Sequence, residues 1–455
     1  MRAPNADETQ SPLARLVRAE AFPGVLLLAC TAIAIAIANS PWAKPWDDFW
    51  HQELALMLGD THVAKSLAHW INDGLMVVFF FFVGLEIKHE VLDGQLQSVR
   101  QAALPVAAAL GGMAVPAAIY AAIAIAHGGD KMLMRGWGIP MATDIAFALG
   151  ILALLGKRVP AGLKVFLASL AIADDLGAVL VIAIFYTDEI AWQFLGGAAL
   201  VVALSYASNR LGVRRTWPYV VYGLLLWAMF LQSGVHATIA GVLLALTIPA
   251  RRKLDENVFM ARARARIDDF ERESKPDPLT HPAQLDAVHA LQSDARDVQA
   301  PLQRMEHGLR PLIAHFIVPV FALANAGVDV GDIGDALHHP AAHGVFAGLL
   351  LGKPAGIVLA VWIAHRFLRC PLPASTTWGH LHGAAWLAGI GFTMSLFIDS
   401  LAFAGAPPAF EASKLAILGA SVVAGIVGYV VLRRQKVPVA PVPAAAPAAA
   451  TGSSR

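Results

Sequence analysis

The sequence predicts an all-α polytopic membrane protein, and its composition and long apolar runs carry this prediction. The 455 residues are 57% hydrophobic and only 15% charged, with a mean hydropathy of +0.59. A soluble domain has about 25% charged residues. Many apolar runs approach the roughly 20 residues that a helix needs to cross a ~30 Å hydrocarbon core. The formal net charge of +1 gives no bulk basic character, so we expect no nucleic-acid partner.

The apolar runs divide the chain into five parts and predict twelve spans. Residues 1–21 form a polar cytoplasmic segment without the pattern of a removable signal peptide. Residues 22–249 hold eight spans, residues 250–308 form a charged hydrophilic loop, residues 309–433 hold four spans, and the Pro/Ala-rich tail 434–455 is predicted to be disordered. The predicted spans are 22–39, 69–92, 102–126, 137–155, 163–186, 192–207, 217–232, 235–249, 311–327, 344–365, 378–403 and 412–432.

The distribution of Lys and Arg predicts the orientation of the chain. Basic residues concentrate in the tails and in every second loop, and such loops stay in the cytoplasm. Both termini are therefore predicted to be cytoplasmic. The opposite side carries only Lys44, Lys65, Lys131, Arg135 and Lys414.

A few ionisable residues fall inside the predicted spans, where a charge costs roughly 3 kcal/mol or more. The adjacent carboxylates Asp174 and Asp175 are the most costly, because each is desolvated and repels the other. Lys353 is the only basic side chain that we expect to be buried in this way, so it is the natural partner for one aspartate. A purely stabilising ion pair would leave the second carboxylate unexplained, which favours a functional site. The other acidic residues within spans are Asp73, Glu86, Asp144 and Asp399.

Two predicted spans contain sequences that interrupt a helix. In span 4, Pro140 precedes Thr143 and Asp144, either of which can cap a new helix. In span 11, Gly389 and Gly391 precede Thr and Ser residues. Glycines alone would indicate close helix packing. However, the two breaks occupy corresponding places in the three-helix sets of spans 3–5 and 10–12, which predicts inverted-topology repeats around a midplane site.

Several motifs, in order along the chain, resemble those of the bacterial NhaA-type Na+/H+ antiporters. The resemblance covers about residues 12–434 and implies an electrogenic transporter, not an enzyme, in the bacterial inner membrane. It would export Na+ or Li+ for protons, under pH regulation, and would need no cofactor. The motifs are Ile71–Met76, Val83–Lys88, Ala142–Ala148, Asp174–Gly177, Ser233–Thr238, Phe321–Gly327, Gly352–Pro354 and Gly389–Ser395.

The resemblance also implies roles for the residues of the predicted site. Asp175 would be the main Na+ ligand, and Asp174 would exchange its partner Lys353 for a proton or a cation. Thr143 and Asp144 would lie beside this site. Asp144 and Lys353 would also offset the dipole ends of the broken helices.

The resemblance places a pH sensor at Glu86, Glu90, Glu306 and His307. This chain departs from the family pattern there, because Arg310 replaces a second histidine and His89 precedes Glu90. A solvated, charged helix end is an alternative interpretation for each of these residues.

Other family positions have weaker implications. Asp73 is expected to be structural or to line a periplasmic funnel, and His236 to be a satisfied interfacial histidine. Asp399 stands where the family has a less acidic residue, and it receives no role. The region 40–66 matches a periplasmic hairpin that holds a dimer, so the expected partners are the lipid bilayer, monovalent cations and a second copy of the chain.

Three other functions compete with the antiporter. An intramembrane aspartyl protease needs two aspartates from facing helices, and the usual Gly-x-Gly-Asp motif is absent from the predicted spans. A related organic-anion transporter would not need the adjacent Asp174 and Asp175. A non-transporting membrane sensor is the third alternative, if Arg310 prevents activation.

Overall fold

The chain is mostly helical, as the sequence predicts. Apolar runs become helices in hydrocarbon because each helix satisfies its own backbone hydrogen bonds. The predicted segment 1–21 and the tail after residue 436 lie outside the described residues. The computed structural model describes residues 22–58, 61–187, 190–272, 282–329, 331 and 333–436.

The first half of the chain contains the predicted spans 1–8 and one hairpin of β-strands. Each predicted span coincides with helical structure. The elements are α1 (Phe22–Ala38), α2 (Ala43–His51), β1 (Glu53–Leu58), β2 (Thr61–Ser66), α3 (Leu67–His69), a π-helical stretch Trp70–Leu75, α4 (Met76–Asp93), α5 (Val99–Ala126), α6 (Lys131–Met134), a 3-10 stretch Arg135–Met141, α7 (Ile145–Leu155), a 3-10 turn Gly156–Arg158, α8 (Ala161–Phe185), α9 (Trp192–Arg210), α10 (Trp217–Ser233) and α11 (Thr238–Thr247).

The second half begins with the hydrophilic loop, which contains two helices that pack on each other through an Arg262–Asp294 ion pair of 3.3 Å. The remaining helices again coincide with the predicted spans. The elements are α12 (Glu256–Arg272), α13 (Pro282–Val298), α14 (Pro301–Leu312), a π-helical stretch Ile313–Ile317, α15 (Val318–Asn325), α16 (Ile333–His338), α17 (Pro340–Ala347), a π-helical stretch Gly348–Gly352, α18 (Lys353–Phe367), α19 (Trp378–Ala388), α20 (Phe392–Ala402) and α21 (Pro407–Arg434).

Length and hydropathy support several membrane-spanning helices. Two bent pairs also reach a spanning length together: α1 with α2 at 113°, and α19 with α20 at 42°. Other predicted spans fall on helices that are shorter or more polar, such as the ten-residue α11. Within the described part of the chain, six helical segments, one of which contains the break of span 4, are long and apolar enough to cross a membrane: Val99–Ala126, Lys131–Arg158, Ala161–Phe185, Pro301–Asn325, Pro340–Phe367 and Pro407–Arg434.

The region between α1 and α4 contains the antiparallel hairpin of β1 and β2, with Glu53 opposite Ser66 and Leu58 opposite Thr61. Composition and apolar periodicity alone predict only an extramembrane loop here. The family resemblance correctly implies a hairpin, so the chain is not purely α-helical.

Close contact between α5 and α18 fixes the backbone that carries Lys353. A Cβ atom on Gly111 would lie 2.3 Å from the Gly356 carbonyl oxygen, and one on Gly356 would lie 2.2 Å from the Gly111 carbonyl oxygen. Only glycine allows this approach, which brings α18 against α5 over a long contact. As a result Lys353, the first residue of α18, is directed into the protein and not toward lipid.

Candidate functional site

Both predicted helix breaks are present. In span 4, the 3-10 stretch that contains Pro140 ends at Met141, and a new helix, α7, starts at Ile145. Asp144 is the N-cap of α7, because its Oδ1 accepts a hydrogen bond from the Phe147 amide at 3.0 Å. The side chain therefore satisfies an amide that the helix start would leave unpaired.

The break in span 11 separates α19 from α20, and its glycines are required by close contact. Gly391 has an ordinary φ of −91°, so backbone freedom is not the reason for glycine here. A Cβ atom on Gly389 would lie 2.8 Å from the Leu349 carbonyl oxygen, and one on Gly391 would lie 2.1 Å from the Ser395 hydroxyl. The missing side chains allow the π-helical stretch before Lys353 to approach the break.

The two breaks are joined to each other by hydrogen bonds. The Asp144 amide donates to the Ile390 carbonyl at 2.7 Å. Asp144 Oδ2 accepts from the Thr393 amide at 3.2 Å and from the Thr393 hydroxyl at 2.5 Å. The Ser395 hydroxyl donates to the Ile139 carbonyl at 2.9 Å. Each broken helix thus satisfies polar groups that the other leaves unpaired, as non-helical backbone at membrane depth requires.

Asp174 and Lys353 form a buried ion pair beside these breaks. Lys353 Nζ lies 2.7 Å from Asp174 Oδ2, and the exposed fractions of the two side chains are 0% and 1%. The same ammonium donates to the Met141 carbonyl, the last of the first half of span 4. Thr143 lies within hydrogen-bonding distance of Asp174 Oδ2, at 2.7 Å, and of the Ala388 carbonyl, at 3.0 Å.

Asp175 is as buried as its neighbour but has a different environment. It is 2% exposed, and its Oδ1 has no hydrogen-bond partner among the described residues. Asp174 Oδ1 also lacks a partner there. Carboxylate oxygens are the ligands that hard cations prefer, so the site presents two adjacent, unsatisfied acceptors to a small cation or to protons.

The charges of the site do not balance. Asp144, Asp174 and Asp175 are buried and interact with each other, and among the described residues Lys353 is the cation that contacts this group. An uncompensated buried charge costs several kcal/mol. The site therefore needs additional positive charge, as a metal cation or as protons on the carboxyl groups.

The predicted pH-sensing residues are only partly brought together. Arg310 lies 3.2 Å from Glu86 Oε1 and 3.1 Å from Glu306 Oε1, and His89 lies 2.8 Å from Glu306 Oε2. We call these four residues the α4–α14 clasp, because they connect those two helices. The other two candidates form none of these ion pairs: Glu90 lies one turn after Glu86 and accepts from the Gln95 amide at 2.7 Å, and His307 is exposed.

The two residues predicted to be structural lie away from the ion pair. Asp73 contacts His69 at 2.9 Å within the first turns of span 2. His236 lies in the turn between α10 and α11, next to Gly234, which has a φ of +78°.

Sequence reasoning missed several buried polar contacts. Thr393 stands in the quoted motif without a role, yet it is the main partner of Asp144, and its place after the paired glycines could have indicated this. The expectation that Lys353 is the only buried basic residue is wrong. Lys414 is 7% exposed because it lies inside α21 and donates to the Gly327 carbonyl at 2.9 Å.

Comparison with known proteins shows similarity along almost the whole chain. The family model described as "Na+/H+ antiporter 1" matches residues 14–432. A relative named Na(+)/H(+) antiporter NhaA from Oleidesulfovibrio alaskensis is 50% identical over 432 residues, covering 94% of each chain. One from Koribacter versatilis is 48% identical over 426 residues, covering 93% of this chain and 92% of the relative. Na(+)/H(+) antiporter NhaA 1 from Saccharophagus degradans is 47% identical over 428 residues.

Proposed function

This chain belongs to the NhaA family of Na+/H+ antiporters, and we propose that it exports Na+ or Li+ from a bacterial cytoplasm in exchange for protons. Membership of this family makes it a multi-pass membrane transporter and not an enzyme. We propose an electrogenic exchange, in which more than one proton enters for each cation expelled. The physiological result is removal of sodium and control of cytoplasmic pH.

The observation that carries this proposal is the pair of unsatisfied oxygens, Asp174 Oδ1 and Asp175 Oδ1, next to one buried lysine. Asp175 is the main cation ligand, and the Thr143 hydroxyl supplies a further oxygen. When Na+ binds, Asp174 leaves Lys353. When Na+ departs, protons or Lys353 neutralise the carboxylates again. Competition of Na+ and H+ for the same oxygens is sufficient to couple their opposite movements.

The crossed helix breaks support access to this site from alternate sides. We propose twelve spans arranged as inverted repeats, with the discontinuous spans 4 and 11 at the midplane. Lys353 contacts the carbonyl end of one half-helix, and Asp144 accepts from amides at the start of two others. These charges offset the partial charges of the half-helix ends. The two broken helices can therefore move together without leaving those partial charges uncompensated.

The loops rich in Lys and Arg support an inner-membrane protein with both termini in the cytoplasm. On this topology the β1–β2 hairpin is periplasmic. Its backbone edges can pair with another strand, which supports a homodimer held by two such hairpins.

The α4–α14 clasp supports regulation by pH at the cytoplasmic side. It contains two carboxylates, one histidine and one permanently charged arginine. Histidine and carboxyl groups, as residue types, can gain or lose a proton, whereas an arginine keeps its charge. A change in cytoplasmic pH therefore alters the attraction between α4 and α14, which we propose controls activity together with Glu90 and His307.

The decisive experiment measures Na+-driven proton movement in everted membrane vesicles by fluorescence dequenching. Asp175→Asn keeps the size of the side chain but removes the negative charge, so exchange should be abolished. Asp73→Asn is the matched control, because Asp73 lies away from the ion pair, and it should retain exchange. Normal exchange by Asp175→Asn would refute the proposed site. A wild type that responds to neither Na+ nor Li+ would refute the function.

A further inference from the structure

One buried acid has no part in the proposed ion site. Asp399 lies in the second half of the broken span 11 and is 0% exposed. Its Oδ1 contacts the Ser413 hydroxyl on α21, and its Oδ2 has no hydrogen-bond partner among the described residues. Asp144, by comparison, accepts three hydrogen bonds. An ionised carboxylate with so few donors would be very costly at this depth.

The single contact of Asp399 is better explained by a proton on the carboxyl group. The Ser413 hydroxyl has one hydrogen to donate. It lies 2.8 Å from the Ala409 carbonyl and 3.0 Å from the Phe410 carbonyl, which are ordinary acceptors for a serine in a helix. If that hydrogen goes to the backbone, the hydrogen between Ser413 and Asp399 must belong to Asp399.

Other groups near Asp399 are engaged elsewhere. Lys414 attracts Asp399 electrostatically, but it binds the Gly327 carbonyl at 2.9 Å and Glu411 at 3.0 Å, so an opposite charge already lies beside it. Tyr120 on α5 and Tyr186 after α8 also interact electrostatically with Asp399. Their hydroxyls donate to the carbonyls of Leu133 at 2.9 Å and Arg135 at 2.6 Å.

We propose that Asp399 is a second proton-binding site, which holds a proton in this conformation and releases it when α20 moves relative to α21 during transport. Helix α20 connects Asp399 to the helix breaks. Thr393, near its start, donates a hydrogen bond to Asp144, and Asp399 lies further along the same eleven-residue helix. A movement of the two helix breaks relative to α21 therefore moves Asp399 away from Ser413. Water that enters between α20 and α21 then accepts the proton and solvates the carboxylate.

The transport part of this inference depends on the proposed antiport, so two separate measurements are needed. The first is infrared spectroscopy of the purified full-length protein in lipid. The wild type should show the C=O absorption of a neutral carboxyl that shifts in D2O and is lost in Asp399→Asn. A difference spectrum containing only carboxylate bands at this position would overturn the inference, whether or not the protein transports Na+.

The second measurement compares Na+/H+ exchange by wild type and Asp399→Asn from mildly acidic to alkaline pH. The asparagine amide can donate to Ser413 but cannot release a proton. The maximal rate should fall and the pH profile should change, whereas the KM for Na+ should stay the same because Asp399 lies outside the Na+ site. An unchanged rate at every pH would show that Asp399 has no part in transport.

A second variant guards against misfolding. Ser413→Ala leaves the carboxyl in place but removes its partner. It should shift the neutral C=O absorption without abolishing it. An unshifted absorption would contradict the assignment of that band to Asp399. Absence of exchange in the wild type would refute the antiporter function but would leave the infrared result valid.

Discussion

Asp174 and Asp175 are neighbours in the chain, but the structure gives them different surroundings. One oxygen of Asp174 receives the Lys353 ammonium and contacts the Thr143 hydroxyl. Asp175 Oδ1 has no partner among the described residues. Successive residues on a helix point about 100° apart, so one carboxylate can face Lys353 on α18 while its neighbour points in another direction.

At the residue scale, Lys353→Ala should strongly destabilise the protein. It leaves the Asp174 carboxylate buried without its cation, and breaking a buried pair in this way costs about 3–5 kcal/mol. The melting temperature of the purified protein in detergent should therefore fall clearly.

The matched control adds Asp174→Asn to Lys353→Ala, which removes the charge that the first change leaves unpaired. The double variant should be more stable than Lys353→Ala alone. Equal melting temperatures for the wild type and Lys353→Ala would mean that the pair contributes nothing to folding.

At the element scale, each discontinuous helix depends on the other. Asp144 caps α7 and binds Thr393 at the start of α20, and the Asp144 amide donates to the Ile390 carbonyl. The second interaction joins residues that are distant in the sequence. Proline and glycine patterns locate each break, but they carry no information on which break lies against which.

Asp144→Ala should cost about 1 kcal/mol from loss of the helix cap alone, with a further cost from the unpaired Thr393 hydroxyl. Asp144→Asn keeps an oxygen that can cap α7 and should therefore be less destabilised. Thermal unfolding of the two variants in the same detergent compares them directly. If alanine and asparagine gave the same stability, the hydrogen bonds of Asp144 would have no structural importance.

At the scale of the whole molecule, the α4–α14 clasp connects the beginning of span 9 with the end of span 2. Its arginine side chain is 60% exposed. The Glu86 and Glu306 side chains are 19% and 11% exposed, but water at the open arginine screens both pairs, and screened pairs contribute at most about 1 kcal/mol. The clasp therefore has little effect on global stability, but its charges can bias the relative position of two helices.

Arg310→Gln should change the pH dependence of exchange with little change in melting temperature. Removal of the cation favours the protonated forms of the neighbouring acids, so the midpoint of the pH–activity profile should move to higher pH. Arg262→Gln is a control, because its ion pair lies within the α12–α13 hairpin. A pH profile of Arg310→Gln identical to that of the wild type would show that the clasp does not regulate transport.

Much of the fold and of the site could be predicted from local sequence, for particular reasons. The apolar run from Leu163 to Tyr186 contains two carboxylates, and the free energy needed to place these charges in a membrane can be judged without knowing the rest of the fold. Pro140 and the cap residue Asp144 fix the break in span 4 by local backbone chemistry. The hairpin between α1 and α4 was accessible only through the family resemblance, because its apolar pattern is mixed.

The sequence by itself determined a membrane protein with long apolar helices, two helix breaks and a buried carboxylate pair that needs positive charge. The length of an apolar run, the effect of proline on a helix and the desolvation of a carboxylate each depend on only a few neighbouring residues. Only the tertiary structure decided that Lys353 pairs with Asp174, that Asp144 binds Thr393, and that Lys414 is buried. These contacts join residues far apart in the chain, and their geometry depends on how closely glycine-containing helices such as α5 and α18 approach each other.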